Sequence, residues 1–340
     1  MALSQTRLGA NRRSLAAAIG AGILVPGGPV LPTRRLVVGG SRIQLPSTAI
    51  AASAANVGQQ YVQFVGFHPG DGPQVLQGGW MNSYSAAGQI TATGNPITVE
   101  VSGYYCNGVY TPVKIGGATS RTLASGETVA HDRVTIPNAP AGTPIFAETI
   151  SLVASGDKFP YVGVPYGVNA ALGEGYAASN ASRAANAGTK PSAGSPVGGP
   201  FGLSFFFMER PVSEWRASAL KRNDSIGQGA SVGIMYYDAR GCVGFFGQAL
   251  DRAAAGSRRF WDVGMFGESM LATQPKNSSK SDLEWVKEVC DLVGQVPFAE
   301  IWDQLGHNDM SQGTLSAVLL LPPNDRTGSE GLLGCDELAG

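Results

Sequence analysis

Period-two alternation governs the first half of this chain. Ile97, Val99 and Val101 alternate with Thr98, Glu100 and Ser102, the pattern of a strand that buries one face. Similar short apolar or β-branched runs occur at Tyr61–Val65, Val109–Ile115, Arg133–Ile136 and Ile145–Val153, separated by Gly, Pro, Asn and Ser. Many short strands with turn chemistry between them predict a β-sandwich or jelly roll over residues 41–172.

Composition agrees with a globular, loop-rich chain of two domains. Its 340 residues are 43% hydrophobic and 14% charged, with 47 Gly and 21 Pro, below the bias that marks low-complexity disorder. A net charge of −1 provides no overall field for nucleic acid or an anionic membrane, so nucleic acid is excluded as the main partner. Charge is nonetheless uneven, with 12 Lys/Arg against 7 Asp/Glu in residues 1–200 and 12 against 18 in 201–340.

Residues 1–40 read as a signal or an N-terminal arm. Arg12-Arg13 precede an 11-residue apolar run, Leu15–Val25, which suits a signal h-region and is too short to span a bilayer. Arg-Arg-Ser-Leu resembles a twin-arginine export signal, which implies a periplasmic or extracellular destination; no small-x-small cleavage site follows promptly, and an arm fits the same residues. No transmembrane helix is expected. Cys106, Cys242, Cys290 and Cys335 are widely spaced without a CxxC pair or a nearby His, so they read as buried free thiols rather than as a zinc site or a disulfide scaffold.

Residues 173–200 are rich in Ala, Gly, Ser and Asn and read as a linker. Beyond them helical spacing appears, at Val243, Phe245, Phe246, Ala249, Leu250 and Ala253, and again at Leu283, Val286, Cys290 and Val293. The second of these has a capping box, Ser281-x-x-Glu284, and a Gly294 stop. Phe298–Leu305 then reads as a buried strand, and alternating strands and helices predict a parallel sheet.

Functional residues of such sheets gather at the carboxyl ends of the strands. Three short polar segments stand there: Asn223-Asp224-Ser225-Ile226-Gly227, Gly264-Met265-Phe266-Gly267-Glu268-Ser269, and Leu305-Gly306-His307-Asn308-Asp309. In this order, 42 and 41 residues apart at Ser225, Gly267 and Asn308, they resemble three of the four blocks of the SGNH hydrolases, the GDSL esterase and lipase family. The resemblance implies an α/β three-layer, flavodoxin-like domain over residues 201–340, preceded by the β-sandwich. It also implies metal-free hydrolysis of acyl esters, carbohydrate O-acetyl groups among them, with no cofactor.

By that resemblance Ser225 is the nucleophile, its backbone N–H, the Gly267 N–H and the Asn308 side-chain amide form the oxyanion hole, and Asp224 and Asp309 support them. Taken singly, the same residues read as a helix N-cap, a turn glycine and a strand-end asparagine. The sequence departs from the family in three ways: Asn223 replaces the Gly of Gly-Asp-Ser, Ala217–Arg222 is polar for a central strand, and the final Asp-x-x-His block is absent. The only histidines are His68, His131 and His307; the first two read as surface or loop residues. Thr314–Leu321 begins a helix that Pro322-Pro323 ends, and the Gly- and charge-rich remainder reads as a truncated or frame-altered tail. The missing base points to an impaired esterase or, alternatively, to a non-catalytic glycan-binding or virion surface protein.

Overall fold

The computed structural model describes residues 33–39, 43, 45–46, 48–86, 89–161, 168, 170–192, 200–215, 218–223, 259–262 and 280–304. Two antiparallel sheets share one core. In the first, β1 (Arg34–Val38), β15 (Phe205–Pro211), β4 (Gln74–Met81) and β10 (Thr128–Ala130) lie side by side, and β11 (Val134–Ile136) also pairs with β4. The second runs β14 (Gly175–Ser179), β3 (Gly58–Phe67), β12 (Pro144–Leu152), β7 (Ile97–Cys106) and β8 (Val109–Pro112), with β9 (Arg121–Leu123) on β7. Val65, Leu76, Trp80, Ile97, Val99, Ile145, Phe206 and Met208 from both sheets meet in the interior, where the Trp80 indole N–H donates to Thr149 Oγ1 at 2.9 Å. Two small pairs, β2 (Thr48–Ala51) with β13 (Lys158–Tyr161) and β5 (Ser83–Ala86) with β6 (Gln89–Ala92), complete the antiparallel part.

Local sequence explains several of these elements. Ile97 and Val99 are buried while Thr98 and Glu100 are not, as period two requires. The alternation breaks at the next pair: Val101 is half-buried and Ser102 buried, beside the register shift that skips Glu100 in the pairing with β12. The β7–β8 hairpin turns on Asn107-Gly108, both at positive φ (50° and 77°). Asn and Gly are the two residues that tolerate that backbone, which gives the turn its match to strand twist.

The continuous apolar run Phe205–Met208 is buried on both faces. Phe206 and Met208 enter the sandwich interior, whereas Phe205 and Phe207 join a second core with Leu36, Val38, Met81, Trp285, Val286, Val289 and Val293. That second core is closed by α2 (Asp282–Val293), which lies on the outer face of the first sheet. Its start has the anticipated box: Ser281 Oγ accepts from the Glu284 N–H at 3.2 Å, and Glu284 Oε2 accepts from the Ser281 N–H at 2.8 Å. Its end has Gly294 at φ 70°, the left-handed cap that frees a chain to leave a helix.

Three strands form a separate parallel sheet in the order β17 (Arg259–Asp262), β16 (Ser218–Asn223), β18 (Glu300–Gln304). A short α1 (Val212–Trp215) joins β15 to β16.

The expectation of an α/β three-layer, flavodoxin-like domain is overturned. The described residues hold eighteen strands, mostly in antiparallel sheets, and two α-helices, α1 and α2. Among the described residues helix α2 packs on the sandwich and not on another helix. Boundaries differ as well. Arg34–Val38, expected in the arm, is β1, and residues 173–200, expected as a linker, contain β14. Phe205–Pro211, expected in the second domain, joins β1 to β4. The physical reason for the second difference is close backbone approach: a Cβ on Gly175 would stand 2.2 Å from Pro191 O, and one on Gly58 1.9 Å from Ala181 O. Small residues there are required for packing and do not indicate a loose tether.

Candidate functional site

The strands preceding the three polar segments are hydrogen-bonded neighbours running in one direction. Asn223, the last residue of β16, is in register with Gln304, the last of β18, and Lys221 with both Trp302 and Asp262. All three strands therefore release their chains at one edge of the sheet. Ser225 follows Asn223 by two residues, Asn308 follows Gln304 by four and Gly267 follows Asp262 by five. Chain order is second, first, third across this sheet, so β17 and β18 lie on opposite sides of β16. The seam between β16 and β18 is thus a switch point, the place where parallel sheets open a crevice.

Asp224, Ser225, Gly267, Asn308 and Asp309 lie outside the described residues, as do His307, Cys242, Cys335, the helical spacing at 243–253 and Thr314–Leu321. Leu220 of β16 is fully buried in the core that α2 closes. The Ala299 N–H donates to Ser218 O at 2.9 Å, and the Trp215 indole N–H to Val296 O at 2.9 Å, fixing the start of β16 against the approach to β18.

Arg210 locks the same junction from the other side. It is 5% exposed; its Nη1 donates to both oxygens of Asp71 at 2.7 and 2.8 Å, and its Nε and Nη2 donate to Glu214 at 3.0 and 2.6 Å. A forked guanidinium between two carboxylates holds the β3–β4 loop, β15 and α1 together. Hydrogen bonding from Arg210 holds the Asp71 carboxyl below the ordinary Asp range. Sequence reasoning missed Arg210, although one basic residue ending the run FFFME carried the signal: a charge there must be paired.

His68 and His131, expected at the surface or in loops, do stand in loops, just after β3 and β10, but are each 1% exposed. His131 Nε2 accepts from the Gly78 N–H at 2.7 Å and faces the Tyr104 hydroxyl at 2.6 Å, while Nδ1 lies 2.6 Å from Asp132 O. With Nδ1 as the donor, every contact is satisfied by neutral imidazole. Burial pushes its pKa down to about 4. His68 Nδ1 accepts from the Gly70 N–H at 3.0 Å, and its pKa is also lowered, chiefly by burial. Both rings serve the sandwich.

A groove of about 440 Å³ runs beside His131, lined by Gln77, Arg121, Glu127, Asp132, Arg133 and Leu292 among others. Its charges are internally matched, with Arg121 on Glu127 at 2.6 Å and the Gly116 and Gly117 N–H groups on Asp132. Among the described residues no group of three or more His, Cys, Asp or Glu could hold a metal ion, and no helix is long and apolar enough to cross a membrane. Cys106 and Cys290 are buried free thiols, and burial raises the pKa of both, that of Cys290 to about 12. Neither is poised as a nucleophile. Comparison of the chain with protein-family models and with curated proteins finds no match.

Proposed function

We propose that this chain is a serine esterase of the SGNH type acting on short acyl esters, carbohydrate O-acetyl groups among them. The observation that carries this reading is the parallel register of β16 with β17 and β18, which sends the segments holding Ser225, Gly267 and Asn308 from one sheet edge. In this reading Ser225 Oγ attacks the acyl carbon. The Ser225 and Gly267 N–H groups and the Asn308 amide stabilise the oxyanion. The alkoxide leaves with a proton, and water then cleaves the acyl-serine to release the acid.

Turnover in this reading depends on the base. Loss of a triad member costs up to about 10⁶ in kcat in serine hydrolases, and the histidines of residues 1–340 are His68, His131 and His307. His68 and His131 are enclosed in the sandwich. That enclosure favours a second reading, a non-catalytic glycan-binding or virion surface protein. Hydrolysis of p-nitrophenyl acetate by the whole chain and by Ser225→Ala, with fluorophosphonate labelling located by peptide mass, separates the two. Slow turnover and labelling that both vanish in Ser225→Ala support the esterase; equal rates and no label at Ser225 reject it.

A further inference from the structure

The outer face of the second sheet carries a polar cluster that the esterase reading does not use. Glu148 of β12 and Gln60 of β3 are both 0% exposed. Glu148 Oε1 accepts from Gln60 Nε2 at 2.7 Å and from the Tyr105 hydroxyl at 2.8 Å. Tyr105 and Tyr110 hold their ring centroids 4.9 Å apart. The Tyr110 hydroxyl is buried beside Glu148 without a well-formed hydrogen bond.

Residues 182–190 cover this cluster as a strap. The strap touches it chiefly through backbone: the Gly188 N–H donates to Glu148 Oε2 at 3.0 Å, and Gln60 Nε2 donates to Asn186 O at 3.2 Å and Thr189 O at 2.8 Å. Arg183 Nη2 reaches Gln60 Oε1 at 3.3 Å, and Ser182 Oγ donates to Glu100 at 2.7 Å. None of residues 182–190 is buried. Lifting the strap therefore sacrifices mostly polar contacts, together with the cover of the Tyr110 ring and the Lys190 ammonium over the Phe146 ring at 3.8 Å. A segment that buries so little of itself is among those that open most readily. Once it lifts, Glu148 and Gln60 are free to exchange the strap's backbone groups for water or for a ligand's hydroxyls.

We propose that this face is a binding site for a neutral saccharide, closed in the free protein by the strap. A carboxylate that accepts, an amide that donates and two adjoining tyrosine rings meet the hydroxyls and the C–H face of a sugar ring. The strap's N–H and C=O groups occupy the positions of those hydroxyls. Glu148 and Glu100 disfavour an anionic ligand. Since only the open fraction binds, a tenfold rise in that fraction tightens the apparent Kd tenfold.

The test uses the whole chain and three probes, tetrasaccharides of glucose, of N-acetylglucosamine and of mannose, by calorimetry. Gly188→Ala disfavours closure, since residue 188 has φ +77° and a Cβ there stands 3.3 Å from Tyr110 Cδ1. Ser182→Ala with Arg183→Ala loosens the strap without changing a sheet residue, and serves if the first variant fails to fold. Hydrogen exchange across residues 184–190 reports opening. Expected are faster exchange, about tenfold tighter binding of at least one probe, and loss of that gain when Glu148→Gln is added. Unchanged exchange in every folded variant, faster exchange with no probe bound, or binding indifferent to Glu148→Gln overturns the proposal. None of these outcomes depends on Ser225.

Discussion

Trp285 of α2 stands edge-on to Phe205 of β15, ring centroids 6.4 Å apart, and its indole N–H donates to Thr128 Oγ1 of β10 at 3.2 Å. One side chain thus joins the helix before β18 to two strands of the sandwich. Trp285→Ala leaves a cavity in a closed core, for which about 3–5 kcal/mol is lost. Urea denaturation should show that loss in one transition, with far-ultraviolet and near-ultraviolet dichroism changing together. Separate transitions for helix and sandwich would contradict a shared core.

A chain cut at residue 200 should not fold. Strand β15 lies between β1 and β4, so its removal separates β1 from the sheet and leaves the β4 edge unpaired. Residues 34–200 should give broad, non-cooperative unfolding and bind a hydrophobic dye, whereas residues 34–215 retain the missing strand. A cooperative transition in the shorter chain would restore the boundary expected from composition.

Much of the local structure was legible because it rests on local chemistry. The alternation at Ile97–Glu100 and the box at Ser281 and Glu284 each require only their own few residues, whereas the bulge that turns Ser102 inward in place of Val101 depends on the pairing with β12. The domain boundary was not legible, because Gly175 and Gly58 are small for contacts with Pro191 and Ala181 far along the chain or across a strand pair. A glycine needed for close approach and a glycine in a tether look alike in one sequence. The three-layer expectation failed for a related reason: helical spacing over Leu283–Val293 is real, but it does not reveal which sheet the apolar face meets. For the candidate site, the strand before the third polar segment was readable at Phe298–Leu305 and is Glu300–Gln304, while Ala217–Arg222 is polar for the strand that forms at Ser218–Asn223 and the enclosure of His68 and His131 was not readable.

The N-terminal cap of α2 should contribute measurably. Ser281 is 3% exposed, so its replacement by Ala removes the acceptor of the Glu284 N–H where water does not readily replace it. Ser281→Ala should cost about 1 kcal/mol, and Ser281→Gly only a few tenths. Equilibrium denaturation of both variants tests the order. Equal losses would mean that tertiary packing alone fixes where the helix begins.

His131 should make the protein acid-sensitive below its ordinary range. Its pKa in the fold is about 4 against 6.5 for an unburied imidazole, so between these values the unfolded chain binds the proton that the folded one refuses. Stability is therefore fully present above pH 6.5 and is lost as pH falls toward 4, by about 3 kcal/mol over the whole window. Protonation would put an N–H where Nε2 now accepts from Gly78 and meets Tyr104, which is why the fold resists it. His131→Gln should lower stability at pH 7, because a buried donor loses its acceptor, and should flatten the slope between pH 6.5 and 4. Thermal melts of both proteins across that range provide the comparison. A variant that keeps the full slope would assign the acid sensitivity to another group.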